Sequence, residues 1–134
     1  MTEAYEQTRI KPEDVYKTTF SMIFGTFQSH IIQMGDCNAP STFQQLMTVT
    51  FWDFIGKFVH VYLDDIFIFS NSLEEHLEHI IMVLQQLREA HFFLSKSKVD
   101  LFSNNVDCLG HVINDKGIHT ESEKMQCIQE WRTP

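Results

Sequence analysis

The sequence is short of several residue types, and each shortage excludes a class of protein. Its three cysteines are an odd number without metal-ligand spacing, so no disulfide framework is expected. Lysine and arginine total 10 against 18 acidic residues, and a net charge of −8 disfavours a free-standing nucleic-acid binder. No apolar run is long enough to cross a bilayer, and no signal-peptide pattern opens the chain. We therefore expect an intracellular protein, cytoplasmic or nuclear, with no membrane partner.

Apolar residues are plentiful enough for a buried core. They make up 43% of the 134 residues, and this length is typical of one domain. No internal repeat or low-complexity segment divides the chain. We expect a single domain over residues 1–134.

Three segments have the pattern of helices. From Pro40 to Ile55 apolar residues recur at spacings of three and four, and Gly56 follows. A capping box at Ser72–Glu75 predicts a second helix to about Ala90, and another at Thr120–Glu123 predicts a last helix through Trp131. The buried stripe predicted for the second helix consists of Leu77, Ile80, Ile81, Leu84 and Leu87. His76 and His79 are then assigned to its solvated face rather than to a metal site.

Strands are predicted between these helices. Segments 18–24 and 26–32 flank Gly25 as a hairpin, and segment 92–113 is interpreted as short strands with a turn at Ser103-Asn104-Asn105. Phe58–Leu63 and Ile66–Phe69 form a further hairpin. Helices that cover an antiparallel sheet make α+β the predicted fold class.

Two adjacent carboxylates, Asp64 and Asp65, lie at the predicted tip of that last hairpin, within FVHVYLDDIFIFS. Aspartate is common in turns because its side chain binds the local backbone, so a purely structural role is one interpretation. The other is a divalent-metal site, because Mg²⁺ takes one or two carboxylates and is completed by substrate phosphates. Two such ions would stabilise the attacking and leaving oxygens of a phosphoryl transfer. That chemistry requires a further carboxylate from another strand.

The hairpin is one of five motifs in the order and spacing of a reverse transcriptase. These are FGTFQ, GDCNAPSTFQQLM, GKFVHVYLDDIFIFS, EEHLEHI and LGHVINDKGIHTESEKMQCIQEW. From Tyr5 to Pro134 the chain closely resembles the palm of gypsy-type LTR retrotransposon reverse transcriptases. The resemblance implies a polymerase-palm-like fold, with residues 109–134 at the start of the thumb connection. It also implies RNA-directed DNA synthesis with Mg²⁺ on an RNA or DNA template-primer.

The resemblance assigns roles to individual residues. Asp64 and Asp65 match the catalytic, metal-binding pair of the Tyr-x-Asp-Asp motif, which includes Tyr62. Tyr5 matches the aromatic residue that packs under the sugar of the incoming nucleotide. The template and nucleotide segment Gly-x-x-Asn-Ala-Pro is matched by Gly35, Asn38, Ala39 and Pro40, and the segment that grips the primer end by Leu109, Gly110 and His111. Ordinary packing and turn roles stay open for Tyr5, Gly35 and Leu109-Gly110.

The departures from the family pattern bear on activity. The first catalytic aspartate of the family would fall one position before Met1, and the fingers would lie further upstream. Glu3 and Glu6 are the nearest acidic residues and are out of register, while Asp36 adds negative charge where template phosphates are expected. We therefore expect weak or absent Mg²⁺ binding and no polymerase activity of the chain alone.

Two functions stay open at this point. One is a polymerase fragment, and the other is a domesticated, non-catalytic protein that binds nucleic acid, itself or a protein partner. Loss of the fingers and of a neighbouring strand also predicts a homodimer. Its interface would include the Asp64-Asp65 hairpin or the Pro40–Ile55 helix.

Overall fold

Helix α1, Ala39–Thr50, begins where Asn38 ends a tight turn, and Pro40 lies in its first turn, where a missing N–H costs no hydrogen bond. The structure, a computed structural model, describes residues 4–120 and 122–131. The chain divides into two compact units, Met1–Lys98 and Val99–Pro134. The single domain expected over residues 1–134 stays a prediction.

The first unit alternates short helical turns, β-hairpins and two α-helices. In chain order its elements are the 3-10 helices Tyr5–Gln7 and Pro12–Thr18, strands β1 (Phe20–Met22) and β2 (Gly25–Phe27), helix α1, strands β3 (Val59–Tyr62) and β4 (Asp65–Ile68), helix α2 (Leu73–Glu89) and the 3-10 helix Lys96–Lys98. Strands β1 and β2 pair antiparallel, as do β3 and β4. The core of the unit lies among α1, the β3–β4 hairpin and α2.

Four fully buried side chains form the centre of this core. Phe43, Met47 and Phe51 come from one side of α1 and its end, and Val59 comes from β3. Burial of a side chain of this size stabilises a fold by about 1.5–3 kcal/mol. The β3–β4 hairpin is therefore held against α1 mainly by apolar packing.

Helix α1 ends five residues before the predicted boundary at Ile55. The hydroxyls of Thr48 and Thr50 donate hydrogen bonds to the carbonyls of Gln44 and Leu46, at 2.8 and 2.9 Å. Such bonds and β-branched side chains weaken a helix. A series of turns over residues 51–57 follows, and Phe51 and Phe54 still pack in or against the core.

Helix α2 has the predicted boundaries, but its predicted buried stripe is partly wrong. Ser72 caps it by accepting a hydrogen bond from the backbone N–H of Glu75, at 3.2 Å. Ile80, Val83 and Leu87 are buried. The remaining predicted positions, Leu77, Ile81 and Leu84, are exposed. Apolar residues cover more than one side of α2, and only one of these sides packs against the core.

The predicted hairpin around Gly25 is present with a different turn. Met22 pairs with Gly25, so Ile23 and Phe24 form the tip and Gly25 begins β2. Gly25 has a φ of 137°, which is strained for any other residue. The strands are shorter than predicted, three residues each.

The second unit consists of a three-stranded antiparallel sheet and a short helix. Its elements are β5 (Val106–Cys108), β6 (His111–Asn114), β7 (Gly117–Thr120) and α3 (Ser122–Gln129). None of its described residues is buried, so the ladder of backbone hydrogen bonds holds the sheet together.

Several predictions for this part of the chain need correction. Segment 92–113 contains no described strand before Val106, although the turn at Ser103 is present, with its hydroxyl donating to the carbonyl of Asn105 at 2.7 Å. Strand β7 was not predicted, because GIHT is short and partly polar. Helix α3 ends at Gln129 rather than Trp131. The predicted capping box at Thr120–Glu123 includes side chains outside the described residues.

Helices together with antiparallel strands confirm the α+β class. In the described part of the chain, the strands form three separate small sheets, of two, two and three strands, rather than one. Across residues 4–120 and 122–131, no helix combines the length and the apolar character that crossing a membrane requires.

Candidate active site

The two aspartates lie at the β3–β4 turn, one residue away from the predicted arrangement. Tyr62 pairs with Asp65, so the tip is Leu63-Asp64 and Asp65 is the first residue of β4. Asp64 is half-buried, whereas Asp65 and Tyr62 are exposed. A two-residue turn between paired strands has little freedom, so the hairpin register determines where both carboxylates begin.

A side chain from α1 holds this turn in place. The amide oxygen of Gln44 accepts a hydrogen bond from the backbone N–H of Leu63 at 2.7 Å. Its amide nitrogen donates to the carbonyl of Val61 at 3.3 Å. One half-buried side chain therefore satisfies a donor and an acceptor on the strand and turn that lead into Asp64. Gln44 lies next to the core residue Phe43, which fixes its position along the helix.

The backbone of Leu63 is in a conformation that side-chain-bearing residues rarely adopt. Its φ is 51°, in the left-handed region. A residue held there costs of order 1–3 kcal/mol and persists only where its surroundings enforce it. The hydrogen bond from Leu63 to Gln44 is such an enforcing contact. A positive φ is also what a two-residue hairpin turn requires, and Leu109 in the β5–β6 turn has the same φ of 51°.

The far end of β4 is attached to α2 through two histidines. The hydroxyl of Ser70 lies 2.7 Å from Nδ1 of His79 and 3.1 Å from Nδ1 of His76. The ring of His79 stacks on Phe58, with centroids 3.9 Å apart. Both histidines are half-buried, so their assignment to a solvated face was wrong. They join the helix to the hairpin.

The residues assigned to nucleotide and template lie before and at the start of α1. Tyr5 is half-buried and packs edge-on against Phe43, with ring centroids 5.3 Å apart. Gly35 is exposed with a φ of 105°, in the turn that leads to α1. Asn38 is the N-cap residue of α1, but its side chain makes no capping hydrogen bond. Asn38 and Pro40 are both exposed, as a contact with a large ligand would require.

The residues assigned to the primer end lie in the second unit. Leu109 and Gly110, with φ of 51° and 79°, form the two-residue turn between β5 and β6, and His111 begins β6. The ammonium of Lys124 donates a hydrogen bond to the carbonyl of Gly110 at 3.2 Å. The segment is therefore a defined turn, in accordance with the structural interpretation left open for Leu109-Gly110.

Within the described residues, no three His, Cys, Asp or Glu side chains are grouped closely enough to hold a metal ion. Glu6 therefore does not complete a metal-binding group with Asp64 and Asp65. Glu3 lies outside the described residues. A hollow of about 760 Å³ is lined by Arg9, Tyr16 and His30 among others, and no residue of the β3–β4 hairpin lines it. The candidate site is therefore separate from this hollow and lies at the β3–β4 turn.

Sequence reasoning missed two glutamines that position backbone. Gln44 lies within GDCNAPSTFQQLM, but the family resemblance assigns no role to its side chain. The side chain of Gln7 likewise accepts from the N–H of Phe93 at 2.7 Å and donates to its carbonyl at 3.1 Å. A signal for Gln44 was present, because a polar residue between Phe43 and Met47 lies at the edge of the apolar face of α1.

We expect Gln44→Ala to loosen the turn. It leaves the N–H of Leu63 and the carbonyl of Val61 without this partner, and such a loss costs about 1–3 kcal/mol in the free energy of unfolding. Urea denaturation measures this change, and hydrogen exchange of the Leu63 amide should become faster. Gln45→Ala is the matched control, since Gln45 is exposed on the same helix and should change stability by less than about 0.5 kcal/mol. Equal effects of the two substitutions would contradict the role of Gln44.

The chain was compared with known protein families, curated proteins and solved structures. Residues 1–113 match the family model described as reverse transcriptase (RNA-dependent DNA polymerase). Over its whole length the chain is 33% identical to the Retrovirus-related Pol polyprotein from transposon gypsy of Drosophila melanogaster. It is 30% identical to the corresponding polyprotein from transposon opus of the same organism. The chain spans 13% of the length of each of these relatives.

Solved structures give a consistent result. The chain is similar to foamy viral protease-reverse transcriptase in complex with an RNA/DNA hybrid, with a TM-score of 0.85 and 25% identity. That match covers 98% of this chain and 18% of the viral one. A second structure of the foamy viral enzyme, in complex with dsDNA, matches 94% of this chain and 26% of the viral one, with a TM-score of 0.83 and 26% identity. Because the family model matches 113 of the 134 residues, the chain belongs to the reverse transcriptase (RNA-dependent DNA polymerase) family.

Proposed function

We propose that this chain is the palm portion of an RNA-directed DNA polymerase, with Asp64 and Asp65 as its metal-binding carboxylates. The observation that supports this most directly is the placement of both residues by a two-residue turn that Gln44 holds. Catalysis by positioned charge needs groups whose geometry is set before the substrate binds. The foamy viral enzymes with a bound RNA/DNA hybrid or dsDNA support a template-primer as the ligand.

The carboxylate pair fits part of a magnesium site. Mg²⁺ takes one or two carboxylates, keeps several waters and binds substrate phosphates. When bound, such ions neutralise the charge that develops on the oxygens of a phosphoryl transfer. Asp64 supplies a half-buried carboxylate beside the fixed turn, and Asp65 supplies an exposed one. Tyr62, opposite Asp65 in the ladder, offers an exposed ring beside the carboxylates.

We also propose that the described residues do not suffice for polymerisation. No third carboxylate joins Asp64 and Asp65 within the described part of the chain. The positive surface is also small. Lys17 forms an exposed ion pair with Asp14, 2.5 Å away, and its hydrogen bond to Asp14 lowers the pKa of that carboxyl. With a net charge of −8, binding of a template-primer should be weak and salt-sensitive.

A homodimer is the state of assembly that we propose. Large apolar side chains are exposed near the hairpin, with Tyr62 and Phe69 on it and Trp52 just after α1. Two-fold association would cover these patches by bringing the same surface of each copy together. A stable interface of this kind buries about 1,200 Å² or more in total. The intracellular location expected from the sequence also stays a proposal.

Metal binding at the turn is the first prediction of the proposed function. Mn²⁺ is paramagnetic and can replace Mg²⁺ in oxygen-rich sites, so it should broaden the NMR signals of the Leu63 and Asp65 amides before others. Asp64→Asn should abolish that selective broadening, because it removes a charged ligand. Asp53→Asn is the matched control and should leave it unchanged, since Asp53 is an exposed carboxylate outside the turn. Uniform broadening over all exposed carboxylates would count against a site at Asp64.

Primer extension tests the proposal that the described residues do not suffice for polymerisation. We expect no template-dependent product from the chain alone with Mg²⁺ or Mn²⁺, because losing one charge-stabilising group typically costs about 10²–10³ in rate. A product that disappears in Asp64→Asn would refute this expectation and would require a further carboxylate, with Glu3 the first to substitute.

The proposed dimer is tested by light scattering on a size-exclusion column. Trp52→Glu and Phe69→Lys should each shift a dimer towards monomer, because an unpaired charge in an apolar interface is costly. Ile23→Glu is a control at a fully exposed residue on the β1–β2 tip, and it should leave the dimer intact. A monodisperse monomer of the unaltered chain at tens of micromolar would exclude the dimer. A dimer indifferent to Trp52→Glu and Phe69→Lys would place the interface elsewhere.

A further inference from the structure

Helix α2 has an apolar stripe on its solvent side, in addition to the side that packs in the core. Leu73, Leu77, Ile81 and Leu84 follow one another at spacings of four, four and three residues. Their exposed fractions are 61%, 45%, 61% and 44%. The stripe extends over about 16 Å of helix, at about 1.5 Å per residue. A continuous exposed apolar stripe of this length is typical of an interaction surface.

The stripe has a spacing that is suited to packing against a second helix. Apolar residues three and four positions apart lie on one side of a helix and can contact a neighbouring helix. Towards the end of α2, an open hollow of about 680 Å³ is lined by Ile81, Leu84, Gln85, Arg88 and Glu89. The surface therefore offers a row of apolar contacts that continues into a shallow depression.

An acidic row borders the stripe. Glu74, Glu78 and Gln85 each follow a leucine of the stripe, and since a helix turns about 100° per residue they line one edge of it. Glu89 continues this row, and all four side chains are exposed. Among the described residues, Glu74, Glu78 and Glu89 form no ion pair. Helix α2 has four glutamates and only one basic residue, Arg88.

We propose that this face of α2 binds an amphipathic helix of a partner protein, whose apolar residues are flanked by lysine and arginine. The apolar stripe supplies the contact area and the acidic row supplies the charge preference, as in other complexes in which a helix lies in a groove. A second copy of this chain is a poorer occupant, because its α2 offers only one basic residue, Arg88, to flank the stripe, and two α2 helices packed antiparallel through the stripe would bring two acidic rows together. Like charges across an interface oppose association. The inference does not depend on the proposed polymerase function, since no residue of the face belongs to the β3–β4 hairpin.

Two labelled helical peptides test the proposal by fluorescence anisotropy with the full chain. Both have leucines at positions that match the stripe, and one has lysines on its flanks where the other has glutamates. We expect the lysine peptide to bind more tightly, and its affinity to fall as salt is added. Ile81→Asp should weaken its binding about tenfold or more, because it places a charge in the centre of the contact.

The direction in which Ile81→Asp changes the affinity for the lysine peptide separates the proposal from simple charge attraction. Ile81→Asp makes the chain more acidic, so attraction of a cationic peptide to an acidic surface alone would strengthen binding. Ile23→Asp adds the same charge at a residue that is 98% exposed at the tip of the β1–β2 hairpin, outside the stripe, and should not weaken binding. Glu78→Lys should shift preference towards the glutamate peptide, which gives a readout independent of Ile81. Circular dichroism confirms that each variant is folded.

Three results would overturn the proposal. The first is that neither peptide binds. The second is that Ile81→Asp binds the lysine peptide as well as or better than the unaltered chain. The third is that the chain is a dimer in sedimentation experiments and Ile81→Asp dissociates it, because the face would then belong to a second copy.

Discussion

The contact between α1 and the β3–β4 hairpin determines the geometry of the candidate site in the first unit. Val59 is fully buried against the side of α1 that contributes Phe43 and Met47. Successive side chains of a strand point to opposite faces, so a shift of the hairpin by one residue would expose Val59 and turn His60 and Tyr62 towards the core. Apolar packing thus selects one register. In that register the turn falls at Leu63-Asp64, within reach of Gln44 on the same helix.

The same contact explains how a strained turn persists. The positive φ of Leu63 is unfavourable by itself, and a glycine or asparagine there would relieve it. The core holds β3 and α1 together, and the Gln44 amide then fixes the backbone on the side of the turn where Asp64 follows. At the other end of the hairpin, Ser70 and the two histidines attach β4 to α2. The aspartates therefore rest on a hairpin held at both ends.

The sequence predicted those features whose cause is local. A run of β-branched and aromatic residues around two aspartates was enough for the hairpin, and Ser72 with Glu75 was enough for the start of α2. The orientation of α2 was not predictable in this way. Its apolar residues cover a wide arc, and only contacts with distant segments decide that Ile80 is buried while Ile81 is exposed. The assignment of His79 to the solvated face was wrong for the same reason. Its ring stacks on Phe58, 21 positions away in the sequence, and this contact partly buries a polar side chain.

In the candidate site, too, features with a local cause were predictable from the sequence and features that depend on distant contacts were not. The residue types and order of the motifs identified Asp64 and Asp65, but their one-residue offset at the tip is a property of the register, which depends on Val59. Gln44 acts on backbone 17 and 19 positions away, and its place at the edge of the apolar face of α1 does not by itself say which backbone groups it contacts. Its importance follows from charge as well as geometry. Two adjacent carboxylates repel each other, and a net charge of −8 adds to this repulsion, so a turn that keeps them side by side needs a rigid support. The neutral amide of Gln44 provides that support through its two hydrogen bonds to the backbone and adds no charge.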